Sequence, residues 1–453
     1  MTMTDLHTGD SPFARRRRLL LDWMRSQGGG VAVLATAPER ARNRDNQYAY
    51  RHDSDFYYLT GFSEPGAWLI LVAGAQDRAI LCCMGKHPER EIWDGVRWGP
   101  EAAATHFGFD EAHDSERLDD LLPGLLVGAE RVFAVLSGAQ GTDLAPRLQR
   151  WTAAAAGLSR GARALPVHWT DLSEIIAEMR LFKDVAELDT MRRAAAISAR
   201  GHVRAMQAAY PGCHEYELEA ELLYTFRKSG AQSVAYDSIV AAGANACVLH
   251  HRAGHAVARD GDLILIDAGC ELDGYASDIT RTFPVNGRFT GPQRALYDIV
   301  LEAQREAALR ATPAFDFNAG HDAAVRILTQ GMLDLGLIAG TLDNAIERGA
   351  YQRFYMHRTG HWLGMDVHDV GAYREAAAKI GQRPWRKLAP GMVLTIEPGI
   401  YVRPSEDVRE EFWNIGIRIE DDAIVTDAGA ELITRGVPVD PQAIEALMQE
   451  AAG

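Results

Sequence analysis

Two aspartates stand in a stretch of the chain that otherwise has the pattern of a buried β-hairpin. In LILIDAGCELDGYASDITRTFPV, the segments Leu263–Ile266 and Tyr275–Phe283 are rich in branched and aromatic residues and predict two strands. The Asp-Gly pair at 273–274 between them is the strongest short-range signal for a two-residue hairpin turn, because Gly tolerates positive φ. Asp267 and Asp278 therefore place carboxylates where buried strands rarely carry charge.

The turn fixes how the two predicted strands pair. Counting outward from it sets Asp267 opposite Thr280 and Gly269 opposite Asp278. Asp267 and Asp278 then become diagonal neighbours on one face, roughly 7–8 Å apart between backbones, and Gly269 leaves the space between them empty. Carboxylates converging there repel each other unless a positive group lies between them, and a metal ion is such a group. The stretch alone leaves an alternative open, in which Asp267 caps a loop and Asp278 is solvated.

Histidines are concentrated in a second stretch, FYMHRTGHWLGMDVHDVG. Histidine is the commonest metal ligand, and the spacing of four places His357 and His361 on the same side of a helix or a strand. A single histidine is more often a satisfied polar side chain. Three histidines among glycines, with His368 as the third, favour a functional site.

Two further strand-like segments end in glutamate. Glu397 follows the apolar run in MVLTIEPGIYV and so repeats the position of Asp267. In NIGIRIEDD the isoleucines alternate with Arg418 and Glu420, which therefore share the opposite face. An antiparallel strand with a solvated face is the alternative interpretation of this segment.

Four carboxylates and one histidine form a suitable ligand set for two divalent cations. A set rich in oxygen and free of thiolate suits Mn²⁺ or a similarly hard ion better than structural Zn²⁺. Water held between two such ions loses a proton near neutral pH, and the ions also polarise a carbonyl group. The sequence therefore predicts metal-assisted hydrolysis.

The whole chain sets limits on the class of protein. Its 453 residues, 47% hydrophobic and 24% charged, are typical of a globular protein with two or three domains. The net charge of −15 argues against a nucleic-acid-binding protein, and no apolar run reaches the roughly 20 residues that cross a bilayer. The five cysteines form no CxxC pair, which favours reduced thiols and a cytoplasmic protein; Cys270, beside the aspartates, is expected to be a small core residue.

The pattern of strands and helices changes near residue 175. Residues 1–175 predict a small α/β domain, and residues 176–453 begin with a long predicted helix over Glu187–Ala209 and then carry strands and helices in separate blocks. The expected fold class of the chain is therefore α+β.

The quoted motifs resemble those of a known family. IDAGCELDGYASDITRTFPV, HWLGMDVHDVG, EPGIY and GIRIED are similar to the motifs of aminopeptidase P within the pita-bread metallopeptidases, and YRHDSDFYYLTGFSEPGAWLIL resembles the family's non-catalytic domain. The resemblance implies a pita-bread catalytic domain over 176–453, preceded by the smaller domain over 1–175. It implies a dinuclear metal site with the ligands Asp267, Asp278, His361, Glu397 and Glu420. It implies substrate-binding residues His250, His357, His368, Tyr401 and Arg418, with Glu397, His250, His357, His368 and Arg418 in catalysis.

The resemblance also implies an activity. A hydroxide bridging the two ions would attack the bond before a proline in second position and release the first residue of a peptide. That bond has no N–H through which the enzyme could hold it. Histidines that donate to the developing oxyanion would therefore assist cleavage, and Glu397 would pass a proton to the leaving imino group. The expected enzyme is a dimer or tetramer. Prolidase, a dipeptidase, is the alternative enzyme, and a catalytically silent peptide-binding module is the alternative of another class; His251 alternates away from His250 and is expected to be structural.

Overall fold

The computed structural model describes residues 11–136, 143–159, 164–376 and 383–452. The chain divides into two compact units, Met1–Ala177 and Glu178–Gly453. Among the described residues, no helix combines the length and the apolar character needed to span a bilayer.

The first unit is built on a six-stranded mixed sheet. The strands are β1 (Gly30–Ala35), β2 (Trp68–Ala73), β3 (Arg78–Cys83), β4 (Glu111–Asp114), β5 (Arg131–Ala134) and β6 (His168–Asp171). Their order in the sheet is β4-β3-β2-β1-β5-β6, with β1, β2 and β3 antiparallel and the β3–β4, β1–β5 and β5–β6 pairs parallel. The inner strands are almost wholly buried, which explains their continuous apolar runs. The helices are α1 (Pro12–Ser26), α2 (Ser54–Thr60), α3 (Pro88–Asp94), α4 (Pro100–Phe107), α5 (Leu118–Leu126), α6 (Leu144–Ser159) and α7 (Ser173–Leu181), which contains the boundary.

Long helices with clear start signals cover the second unit. Asp184 and Glu187 form a capping box at the start of α8, and Thr290 and Gln293 form another at the start of α10. The helices are α8 (Val185–Ala208), α9 (Glu215–Lys228), α10 (Gly291–Ala308), α11 (Ala319–Asp334), α12 (Leu342–Glu347) and α13 (Pro441–Ala452). Their apolar faces and the strands share one core that includes Phe226, Ile264 and Trp362.

Short antiparallel sheets of the second unit lie under these helices. The strands are β7 (Ser233–Val234), β8 (Ile239–Ala242), β9 (Leu263–Asp267), β10 (Cys270–Leu272), β11 (Tyr275–Ala276), β12 (Thr280–Pro284), β13 (Val393–Ile396), β14 (Gly399–Val402), β15 (Ile415–Arg418), β16 (Asp421–Thr426) and β17 (Gly429–Leu432). They form four sheets, with the strand orders β11-β10-β7, β12-β9-β8, β13-β16-β17 and β14-β15.

The aspartate hairpin has the predicted register. Asp267 pairs with Thr280, and both turn residues have positive φ, 51° for Asp273 and 81° for Gly274. The second strand differs from the prediction because it is interrupted over residues 277–279. At the interruption the backbone N–H of Asp278 donates to a side chain of β16 instead of to the opposite strand. The predicted continuous strand is therefore two strands, with Asp278 in the gap between them.

Candidate metal centre

Backbone hydrogen bonds bring the ends of several strands of the second unit together. Asp267 ends β9 and Asp278 lies in the gap before β12. Glu420 follows β15, and its N–H donates to the carbonyl of Thr280 at 3.0 Å. Glu397 follows β13, and its N–H donates to the carbonyl of the residue two before His361 at 2.8 Å. Strand ends therefore position Asp267, Glu397 and Glu420, whereas Asp278 lies in the gap between β11 and β12.

Three of these side chains already face a common point. Asp278, His361 and Glu420 each offer a ligand atom, and these atoms lie within 4.8 Å of one another. His361 Nδ1 donates to the carbonyl of Trp362 at 2.9 Å, which turns Nε2 toward the carboxylates. His361 Nε2 lies 3.5 Å from Asp278 Oδ2 and 3.8 Å from Glu397 Oε1.

Asp267 is held beside this cluster by two other side chains. Arg418 Nη2 donates to Asp267 Oδ2 at 2.5 Å, and the hydroxyl of Tyr236 lies 2.5 Å from Asp267 Oδ1. The same hydroxyl is hydrogen-bonded to Asp278. Burial raises the pKa of Asp267 although Arg418 opposes the shift. Tyr236 and Arg418 thus hold together two carboxylates that would otherwise repel each other.

The remaining carboxylates carry the unbalanced charge of the site. Burial, and then the carboxylates of Asp278 and Glu397, raises the pKa of Glu420 well above its usual value. Burial likewise raises the pKa of Glu397 to about 7, against the opposing charges of His361 and Arg418. Protonation of a carboxylate is the usual response of a buried acidic group that has no cation beside it.

The contact between His361 and Asp278 has the opposite effect. Burial disfavours both charges, but the hydrogen bond to Asp278 raises the pKa of His361 to about 9 and lowers the pKa of Asp278. Even so, the four carboxylates, of which Asp278 and Glu420 are buried and Asp267 and Glu397 partly buried, exceed the positive charges that face them. The donor set, oxygen-rich with one imidazole, fits a hard divalent ion. These residues therefore fit divalent metal binding.

A cavity of about 1210 Å³ opens above the cluster, and the predicted site residues other than Tyr401 line it. His368 stacks on His361 with ring centroids 3.8 Å apart. In the part of the chain that the structure describes, no hydrogen bond is made by the ring nitrogens of His250 or His368. Both rings are therefore available to a bound molecule. His251 instead turns away from the cavity and bonds to Glu215.

The other predicted substrate residues form one hydrogen-bonded row. His357 Nδ1 donates to a backbone carbonyl at 2.8 Å, so its Nε2 accepts from the hydroxyl of Tyr401 at 2.9 Å. That hydroxyl in turn accepts from Arg418 Nη1 at 2.9 Å. Burial, followed by the charge of Arg418, lowers the pKa of His357 to about 3, which keeps the ring neutral. His357 and Tyr401 therefore extend the arrangement that holds Asp267.

Sequence patterns did not identify three residues of the site. Tyr236 bonds to two predicted ligands, Asp422 Oδ2 accepts from the N–H of Asp278 at 3.1 Å, and His202 Nε2 bonds to the carbonyl after Asp267 at 2.9 Å. Each is far in sequence from its partner, and Tyr236 and His202 lie outside the quoted motifs. Of the three, only Asp422 could have been identified from the sequence. It lies two residues after Glu420 in a strand-like segment, and a second buried acidic residue there needs a hydrogen-bond partner.

The chain matches known proteins along nearly its whole length. Residues 189–427 match the family described as metallopeptidase family M24, and residues 13–133 match the aminopeptidase P N-terminal domain. The chain is 41% identical to Xaa-Pro aminopeptidase of Escherichia coli K12, over 97% of this chain and 98% of that protein. It is 32% identical to human Xaa-Pro aminopeptidase 3, over 97% and 86%.

Solved structures give the same result. The structure of Pseudomonas aeruginosa aminopeptidase PepP is 48% identical and superposes with a TM-score of 0.93, covering 97% of this chain and 98% of that chain. Zn-substituted E. coli aminopeptidase P in complex with product is 40% identical, with a TM-score of 0.91 and the same coverage. The chain belongs to metallopeptidase family M24, with the pita-bread fold.

Within that family its likeness is to aminopeptidase P, as the motifs predicted. It is a metal-dependent aminopeptidase, so the predicted fold class and enzyme class are confirmed.

Proposed function

We propose that this protein releases the N-terminal residue from peptides that carry proline in second position. The observation that carries the proposal is the convergence of four carboxylates and His361 at the floor of a cavity that also exposes His250 and His368. The names of its relatives, Xaa-Pro aminopeptidases over nearly their whole length, support the same specificity. Prolidase is not favoured by these relatives.

The proposed cofactor is a pair of divalent ions, Mn²⁺ in preference to others. Asp267, Asp278, His361, Glu397 and Glu420 would hold them, and four carboxylates balance the charge of two such ions. The hardness of the donors supports Mn²⁺, whereas a Zn-substituted relative has also been solved. When bound, such ions activate water for attack and polarise the carbonyl of the bond to be cleaved.

The chain's own residues would supply orientation and proton transfer. Glu397 lines the cavity with one carboxylate oxygen 3.8 Å from His361 Nε2, and we propose that it takes up a proton and delivers it to the leaving imino nitrogen. His250 and His368 can direct ring N–H groups at the substrate carbonyl and the residues on either side of it. Arg418, Tyr401 and His357 keep Asp267 in place through their row of hydrogen bonds.

Product analysis with two substrates tests the proposal. Protein stripped of metal is incubated with and without Mn²⁺ on an Xaa-Pro dipeptide and on a longer Xaa-Pro-Yaa peptide. We expect Mn²⁺-dependent release of the first residue, mainly from the longer peptide. Preference for the dipeptide would identify a prolidase, and cleavage of neither peptide with any of several metals would leave the peptide-binding module.

We also propose a cytoplasmic homo-oligomer, a dimer or a tetramer. The five free, buried cysteines support a reducing compartment. Strongly exposed apolar side chains support association, namely Ile92, Trp93 and Val96, which are 80–87% exposed. Light scattering on the protein as it leaves a size-exclusion column gives the mass of the assembly. A mass of about 50 kDa, that of one 49.7 kDa chain, would contradict the proposed oligomer.

A further inference from the structure

The loop that carries His250 into the cavity begins with a short 3-10 helix, Gly243–Cys247, and the residues after it, 248–254, lie in no helix or strand. We call residues 242–254 the His250 loop; it also contributes Leu249 and Arg252 to the cavity wall. Within it, the N–H of Val248 donates to the carbonyl of Asn245 at 2.9 Å, and the N–H of His251 donates back to Val248 at 3.2 Å. Among the described residues, no strand pairs with 248–254. Side chains from other segments hold the loop instead: Arg403 donates to the carbonyl of Cys247 at 2.7 Å, and Glu215 makes the contacts described next.

One buried carboxylate binds the loop at both ends. Glu215 Oε1 accepts from the N–H of Ala242 at 2.9 Å and from Asn245 Nδ2 at 2.8 Å. Glu215 Oε2 accepts from His251 Nε2 at 2.8 Å and from the N–H of Gly254 at 3.0 Å. A carboxylate offers about four acceptor positions, so this one is fully used. Hydrogen bonds to an ionised group are stronger than neutral ones, and Glu215 is only 2% exposed.

Glu215 stands on a rigid support. It is the first residue of α9, whose buried face of Leu218, Leu222 and Phe226 is part of the core. Its own N–H donates to the carbonyl of Ala256 at 3.1 Å, just past the end of the loop. Glu215 does not line the cavity. It therefore holds the loop from behind and touches no group that would react.

The hydrogen bond from His251 to Glu215 also affects which way the side chain of His250 points. His250 lies in a turn that the hydrogen bond from the N–H of His251 to the carbonyl of Val248 closes. At this turn the side chain of His251 bonds to Glu215, whereas the side chain of His250 lines the cavity. The same carboxylate thus fixes both the ends of the loop and the side on which His250 appears.

We propose that Glu215 is a positioning residue that sets the geometry of His250 for the bound peptide. The inference rests on the proposed aminopeptidase function. The proposed role of Glu215 concerns the binding of the peptide and not the binding of the metal ions. The four groups that donate hydrogen bonds to its carboxylate all belong to the His250 loop. A displacement of a positioned group by about 1 Å costs up to about 100-fold in rate.

The test compares four proteins: the unchanged chain, Glu215→Gln, His250→Ala and the double variant. Each is loaded with Mn²⁺ and assayed on an Xaa-Pro-Yaa peptide below its unfolding temperature, and Mn²⁺ affinity is measured by calorimetry. Glu217→Gln is the matched control, since Glu217 lies on the same helix and bonds only near the helix start.

We expect Glu215→Gln to lower kcat/KM by about 10- to 100-fold, with Mn²⁺ affinity within about twofold of the unchanged chain. In the His250→Ala background the same substitution should cost less than about threefold, because residues that act through one another are not additive. Glu217→Gln should keep full activity.

Other results would overturn the inference. They are an unchanged kcat/KM in Glu215→Gln, a weakened affinity for Mn²⁺, or losses that multiply in the double variant. If the unchanged chain and Glu217→Gln do not cleave the peptide either, the proposed function fails and not the role of Glu215. Should Glu215→Gln fail to fold, His251→Ala removes only one of the four hydrogen bonds and should show the same pattern to a smaller extent.

Discussion

At the scale of single residues, the site depends on how it keeps like charges together. Tyr236 and Arg418 face Asp267, and Tyr236 also faces Asp278, so neutral and positive donors hold the carboxylates before any ion arrives. An ion that binds there replaces part of this support. The contribution of such donors should therefore depend on whether the metal is bound.

Tyr236→Phe is the substitution that measures this dependence. It removes one hydroxyl bonded to two buried carboxylates, so we expect the metal-free protein to lose about 1.5–3 kcal/mol of unfolding free energy. With Mn²⁺ bound, the loss should shrink, because the ion then neutralises the same carboxylates. Denaturant unfolding with chelator and with Mn²⁺ checks the prediction, and an equal loss in both states would contradict it.

His361→Ala should separate activity from stability. The imidazole is the nitrogen donor of the predicted set, and its removal should reduce turnover by at least about 1,000-fold, as expected when metal-activated water is lost. Circular dichroism should remain that of the unchanged chain, since strand pairing and not the ring holds this segment to β13. Retained turnover by a His361→Ala protein that contains no metal would disprove the mechanism.

At the scale of elements, close backbone approach brings the two halves of the hairpin together. A Cβ added at Gly269 would lie 1.7 Å from the carbonyl oxygen of Ser277, next to Asp278. Only a residue without a side chain fits there. The empty space that the sequence predicted opposite Asp278 is thus occupied by the neighbouring backbone.

Gly269→Ala should disturb this contact. Forcing the strands apart should destabilise the protein by about 1–3 kcal/mol or more and weaken Mn²⁺ binding, because Asp278 moves with Ser277. The matched control is Gly291→Ala, where a Cβ would meet nothing within 4 Å. Thermal unfolding and calorimetry measure both quantities, and equal behaviour of the two variants would refute the argument.

Local patterns predicted the elements better than the supporting contacts. The Asp-Gly turn was enough to set Asp267 opposite Thr280, since turn chemistry fixes register. The gap around Asp278 was missed because it depends on Asp422, 144 residues away in the sequence. Tyr236 and Glu215 were missed for the same reason, as their partners lie in other elements. The predicted roles of the individual ligands remain predictions until the variants are measured.

At the scale of the whole molecule, the predicted metal ligands all belong to the second unit, Glu178–Gly453. The first unit has its own apolar core around its six-stranded sheet. Binding of an ion should therefore raise the free energy of unfolding of the second unit. A ligand at about 100 times its dissociation constant stabilises the state that binds it by about 2.7 kcal/mol.

Hydrogen exchange should show which strands an ion stabilises. On addition of Mn²⁺ to metal-free protein, we expect slower exchange in β9, β12, β13 and β15, each of which begins or ends within two residues of a predicted ligand. Strands β1 and β2 of the first unit should exchange at nearly unchanged rates. Equal protection of both sets of strands would show that the ions stabilise the whole chain and not the second unit alone.

Because all five cysteines are buried, the rate at which each thiol is alkylated reports how fast the structure around it opens. Burial raises the pKa of Cys82 and of Cys83 to about 12 and that of Cys247 to about 11, and only thiolates react quickly with alkylating reagents. Labelling therefore has to wait until the surrounding structure opens. Because Cys82 and Cys83 lie in one unit and Cys213, Cys247 and Cys270 in the other, the order in which the thiols are modified would time the opening of each unit without any engineered probe.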